Sequence, residues 1–131
     1  MLLSYLLIGV GGALGSMARA WATLAVARVA GAAFPWGTIL INVVGSFVIG
    51  FFGTLTDGAG GRFAAGTEAR AFVMIGLCGG FTTFSSFSLQ TLELLRHGRA
   101  GPAVANIGLS VAVCLAAVAA GHYGATALGR R

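Results

Sequence analysis

Between Ala71 and Leu92 the chain carries no Asp, Glu, Lys or Arg, yet the middle of that stretch is a poor helix. A segment of this length crosses a bilayer as a helix, which takes about 20 apolar residues. Its centre reads Gly76-Leu-Cys-Gly-Gly-Phe-Thr-Thr-Phe-Ser-Ser-Phe-Ser88. Gly79 and Gly80 each disfavour a helix by about 1 kcal/mol relative to Ala. Thr82, Thr83, Ser85 and Ser86 carry hydroxyls that compete for backbone groups. Backbone that leaves the helix at membrane depth must be buried in protein or line a wet cavity, because lipid satisfies neither amide nor carbonyl. The pattern therefore predicts a span broken at its centre, near residues 79–83, at a place suited to handling an ion.

Composition widens this to the whole chain. Charged residues make up 8% of the 131, and hydrophobic ones 57%, whereas a soluble domain is about 25% charged. The expected fold is an all-α integral membrane protein, one domain over residues 1–131, with spans at about 2–27, 36–56, 67–95 and 101–127. The formal charge of +5 does not indicate nucleic acid, since the eight arginines are scattered and form no stripe. They read as interfacial anchors on anionic lipid. Cys78 and Cys114 both fall in apolar segments, which argues against a disulfide framework or metal site. Ala25-Val26-Ala27 resembles a signal-peptide cleavage site, but no basic region precedes the apolar run, so residues 2–27 read as a retained first span.

Within that first span, Gly9 to Gly15 has the wrong spacing for a dinucleotide loop, with Leu at position 14 and no acidic residue following. Gly11 and Gly15, with Gly12 and Ser16, instead place small residues four apart, which lets membrane helices approach closely. Arg19 is the one charge in the span. Pro35 suits the first turn of the second helix and Trp36 the headgroup level. Asn42 is the one strongly polar residue of the second span, near Gly45, Ser46 and Gly50. Thr67 and Glu68 read as a cap opening the third span. His97 reads as solvated in the basic turn Arg96–Arg99, and His122 as solvated or snorkelling near the end of the fourth span. Asn106, Ser110 and Cys114 are spaced four apart, on one face of that last helix.

Four crossings put both termini and the second connection on one side, with Arg62, Arg70, Arg130 and Arg131. The other side holds Arg28, Arg96 and Arg99, a near balance to which Arg19 adds only if it lies outside the hydrocarbon. Orientation follows Lys/Arg asymmetry, and here there is almost none, so copies insert both ways. One copy is also too small to enclose a solute path. Together these features predict an antiparallel, dual-topology homodimer, comparable to the inverted repeats of larger transporters.

The polar inventory selects a ligand sign. Asp57, Glu68 and Glu93 fall at loops or span ends, so no carboxylate is available inside a span. A proton-coupled cation exporter needs one, which weighs against the alternative reading, a small dual-topology multidrug or cation exporter. No nucleophile stands beside a base, so enzyme chemistry is not expected. What remains is a set of neutral donors, Asn42, Thr82, Thr83, Ser85, Ser86, Asn106 and Ser110, plus the cation Arg19. Donors without carboxylates favour an anion. Aromatic rings are positive at their edges, so rings presented edge-on can ligate a small anion. For Phe84 and Phe87, three apart on one helix face, packing or lipid contact is nevertheless the leading reading from composition alone. Phe81 reads as packing.

Three sets of residues carry a family resemblance: Gly11-Gly12 through Gly15 to Arg19; Pro35-Trp36-Gly37-Thr38 with Asn42, Gly45 and Gly50; and Gly76 through Phe87. On these the chain resembles the Fluc-type (CrcB) fluoride channels over all four spans. The resemblance implies passive, selective export of fluoride across the cell (plasma) membrane through two pores of an antiparallel homodimer. It implies that Asn42 donates to the anion and that Phe84 and Phe87 form an aromatic box. It places Thr83 and Ser85 near the pore track and Arg19 at a vestibule. It further implies a structural sodium ion on the dimer axis, held by main-chain carbonyls of Gly79 and Thr82 from both copies. The fourth-span track, which in the family often begins with Tyr and continues with hydroxyls, here reads Asn106, Ser110 and Cys114.

Overall fold

The computed structural model describes residues 1–57 and 65–129, which are helical with no strand among them. Arg62, Arg130 and Arg131, which enter the charge comparison above, lie outside the described residues. Helix α1 spans Leu2–Ala30 and α2 spans Trp36–Leu55. Helix α3 covers residues 67–81: an α-helical turn Thr67–Arg70, a π-helical stretch Ala71–Cys78 and a closing turn Gly79–Phe81. Thr82 and Thr83 are extended; α4 then runs Phe84–Arg96 and α5 runs Ala100–Gly129. With residues 67–96 taken as one crossing, four stretches are long and apolar enough to cross a membrane.

The helices associate as two close pairs, α1 along α3 and α2 along α5, with α4 also resting on α5. The α1–α3 seam depends on missing side chains. A Cβ at Gly15 would fall on the Leu77 carbonyl oxygen, and one at Gly80 on that of Gly12. Such backbone contact is the way membrane helices gain packing where lipid removes any hydrophobic drive between them. It also changes the reading of Gly79 and Gly80. Both are helical, and the extended backbone begins only at Thr82. The outer surface is correspondingly apolar, with Met17, Trp21, Val104 and Leu115 all exposed, while Ile41 and Asn106 are the largest fully buried side chains.

Polar contacts fix the two ends of the bundle. At one end Arg99 donates from Nη1 to the Ala33 carbonyl at 2.7 Å, joining the α4–α5 connection to the α1–α2 connection. There α4 closes with Gly98 at φ 71°, the Gly98 amide donating to Leu95 and the Arg99 amide to Leu94. This paired bonding through a left-handed residue satisfies the last carbonyls of the helix. At the other end Arg70 donates from Nη1 to the Gly53 carbonyl and to Thr56 Oγ1, at 3.2 and 2.6 Å, tying the start of α3 to the end of α2.

One local reading is corrected and another is extended. Thr67 does not cap α3: it is the first helical residue, and Gly66 holds the extended cap position with no side-chain bond. A cap must stand outside helical geometry, and Thr67 is already inside it. His122 is exposed but partnered, its Nδ1 2.8 Å from Thr54 Oγ1 on α2 and its ring edge-on to Tyr123.

Candidate functional site

The interruption between α3 and α4 is held by one side chain of α2. The Thr83 amide donates to Asn42 Oδ1 at 2.8 Å, and Asn42 Nδ2 donates to the Thr83 carbonyl at 3.1 Å. The amide orientation follows from the pattern, since only an oxygen can receive the Thr83 N–H. Asn42 thus serves extended backbone as a neighbouring strand would, meeting both polar groups that lipid could not. Thr83 also caps α4. Its hydroxyl accepts from the Ser86 amide at 3.1 Å and donates to Ser86 Oγ, with Ser85 Oγ at 3.1 Å as well. Thr82 turns its own hydroxyl back to the Cys78 carbonyl at 2.9 Å.

These residues border a cavity of about 420 Å³. Its walls are Asn42, Gly45, Ser46 and Ile49 of α2; Met74, Cys78 and Gly79 of α3; Thr82 and Thr83; Phe84 and Phe87 of α4; and Ser110, Val111, Cys114 and Leu115 of α5. The polar groups are neutral, and among the described residues no carboxylate lines the space. The Phe84 and Phe87 rings lie 5.2 Å apart between centroids, tilted by 48°. Phe87 is 9% exposed, whereas Phe84 is 78% exposed, so the cavity wall is open on the Phe84 side of a single chain.

Of the residues singled out in the sequence, Asn42, Gly79, Thr82, Thr83, Phe84, Phe87 and Ser110 meet at this cavity. Ser85 is exposed beside it and reaches it only through the Thr83 hydroxyl. Arg19 is half-buried on α1 and is not in the wall. Asn106 is fully buried behind it. There Asn106 Nδ2 donates to Thr91 Oγ1 at 2.9 Å, and its Oδ1 accepts from Ser110 at 3.4 Å. Thr91 in turn donates to the Phe87 carbonyl at 2.7 Å. This chain of bonds connects the α5 wall to the backbone of Phe87. Thr91, with no sequence motif around it, is a participant that the pattern of residues did not reveal; its only sequence signal is a hydroxyl four residues after Phe87, able to back-bond along the helix.

Four apolar crossings, three of which line a cavity of neutral polar groups, define a multi-pass membrane protein. The sequence model of the family described as CrcB-like protein, Camphor Resistance (CrcB), matches residues 6–122, and the chain belongs to that family. A protein of Methylocella silvestris is 62% identical over 128 residues, covering 98% of this chain and 97% of its own. One of Opitutus terrae is 56% identical over 124 residues, covering 95% and 93%. One of Rhodospirillum rubrum is 52% identical over 123 residues, covering 94% and 95%. All three are named fluoride-specific ion channels, so the family is one of transport proteins and not of enzymes.

Proposed function

We propose that the chain is a passive fluoride channel of the plasma membrane, exporting the anion to relieve its toxicity. The observation that carries this is the convergence of Asn42, Thr83, Phe84, Phe87 and Ser110 on one carboxylate-free cavity, in a chain whose relatives are named for fluoride. A small, strongly hydrated anion is conducted when donors replace its water at nearly equal free energy and release it again. Asn42 Nδ2 carries two hydrogens, of which the Thr83 carbonyl takes one, leaving one for the anion. The Phe84 and Phe87 rings supply positive edges, and Ser85 and Arg19 the approaches. Ser110 supplies a hydroxyl whose one hydrogen turns from the 3.4 Å bond to Asn106 Oδ1 to the anion. Asn106 acts behind the wall by holding Ser110. The alternative of a multidrug or cation exporter lacks the carboxylate it would need in this cavity.

The third crossing works as a broken helix in this reading, and the exposure of Phe84 supports a second, antiparallel copy that closes each of two pores. Sodium fits the same place. The amide that a continuous helix would give to the Gly79 carbonyl, that of Thr83, goes to Asn42, and the one for Thr82, that of Ser86, goes to the Thr83 hydroxyl. Among the described residues no other backbone amide outside the helices takes either carbonyl. Two such oxygens from each copy would hold a hard monovalent cation, which supplies positive charge and pins the two interrupted crossings together.

The deciding measurement is ion efflux from liposomes containing only this protein, with no proton gradient, comparing fluoride with chloride. Rapid fluoride loss without chloride loss is the expected result. Retention of fluoride by dimeric, correctly inserted protein would overturn the proposal.

A further inference from the structure

Cys78 and Cys114 lie in apolar segments that by themselves speak against a metal site, but the fold brings both to the cavity wall together with Met74. Of these three sulfur-bearing residues only Cys114 belongs to the expected anion track. Met74 and Cys78 stand on α3 and Cys114 on α5, and all three line the same space. Neither cysteine is in a disulfide; Cys78 is 4% exposed and Cys114 half-buried. Met74 and Cys78 are four residues apart in a π-helical stretch, whose bonds reach from residue i to i+5, so they occupy neighbouring positions on one face. Cys114 follows Ser110 by one turn of α5, so that sulfur succeeds oxygen along that wall.

The donor set is chemically narrow. Thiolates and thioethers are soft ligands that select soft metal ions, while carboxylates, carbonyls and water suit hard ones. The cavity offers two thiols and a thioether with no histidine or carboxylate. It therefore suits a soft monovalent cation of low coordination number better than zinc, whose sites are built from four ligands.

We propose that Met74, Cys78 and Cys114 form a binding site for a soft, thiophilic metal cation and that its occupancy closes the anion passage. Binding exchanges each S–H bond for a sulfur–metal bond, the proton leaves to water, and no oxidation state changes. Two thiolates around one monovalent ion leave a net negative charge in the cavity, which repels an anion in addition to filling its space. The closure rests on the fluoride-channel reading; the binding does not.

The test uses the full chain in liposomes loaded with potassium fluoride, in chloride-free buffer, with silver nitrate as the probe. Silver retained after desalting is measured by elemental analysis, and fluoride efflux by electrode. The expected result is one silver per chain and arrested efflux, both reversed by excess dithiol. Cys114→Ser should raise the blocking concentration at least about tenfold, the loss typical of even an outer-shell partner of a metal ligand. Cys78→Ala should do the same, and where that buried change prevents folding, Met74→Leu replaces it. Failure to retain silver, or equal retention and block in the Cys78→Ala/Cys114→Ser double variant, would overturn the site. Retention with undiminished efflux would overturn the closure. Protein that passes no fluoride before silver is added would sink the channel reading, while silver retention would still decide the site.

Discussion

Replacing Asn42 by Leu removes both bonds that hold Thr83 while keeping the branched outline of the side chain in a somewhat larger volume. The Thr83 residue is 7% exposed, so neither its amide nor its carbonyl gains water in exchange. A buried polar group left without a partner loses about 1–3 kcal/mol. Deletion of hydrogen bonds between membrane helices averages nearer 0.6 kcal/mol, because the unfolded reference also finds partners. Extended backbone has no helical partner to fall back on, so the two losses together come to about 2–4 kcal/mol, the lower part of the sum. Reversible unfolding in mixed micelles measures this, and amide exchange at Thr83 locates it. Asn42→Asp separates the two duties of the residue. It keeps Oδ1 for the Thr83 amide, so protection there persists, but it loses the Nδ2 donor and brings negative charge to the cavity, so fluoride flux falls. Asn42→Leu protein within about 0.5 kcal/mol of wild type, the range of an ordinary surface change, with the Thr83 amide still protected, would refute the clamp.

Other consequences are open to direct measurement. Phe84→Ile and Phe87→Ile should each lower fluoride efflux while the protein still elutes as an intact assembly, and wild-type efflux in both would remove the ring edges from the pathway. Gly15→Val drives a side chain into the Leu77 backbone and should cost at least about 3 kcal/mol, the upper end of overpacking, because backbone cannot yield as a side chain does. It is checked by loss of the monodisperse peak on size-exclusion chromatography. Asn106→Leu leaves the Ser110 hydroxyl and the Thr91 oxygen without their partner and should lower stability by about 1–3 kcal/mol in a thermal melt.

Several features were legible in the sequence because each rests on a residue type with few other uses. Uncharged length marks the crossings, glycines four apart mark the α1–α3 seam, and a lone Asn in an apolar span marks a polar obligation. What was not legible is where each obligation is met. Gly79 and Gly80 look like helix breakers by propensity, but propensity is a weak prior, and contact with α1 makes their bareness a packing feature. Asn42 reads as an anion donor, and its bonds to Thr83 depend on α2 lying beside residues 41 positions later. Cap chemistry is a second case: Thr83 before Phe-Ser-Ser has the form of an N-cap, yet in a run of hydroxyls it reads equally as a donor to a solute. Thr91 became visible only with α5 in place, because its partner Asn106 is 15 residues away on another helix.

The π-helical stretch Ala71–Cys78 gives the third crossing a reserve of axial length. A π turn is wider and shorter per residue than an α turn, so those eight residues cover less depth than they would as an ordinary helix. A π turn takes about one residue more than an α turn, so deleting one residue of the stretch would restore α pairing while the turns on either side keep nearly their present orientation. Arg70 would still reach the end of α2 and the Gly80–Gly12 contact would stay seated. The overwide turn thus absorbs one residue of this crossing without moving either of the two points that anchor it, and a deletion in its α-helical part has no such outlet.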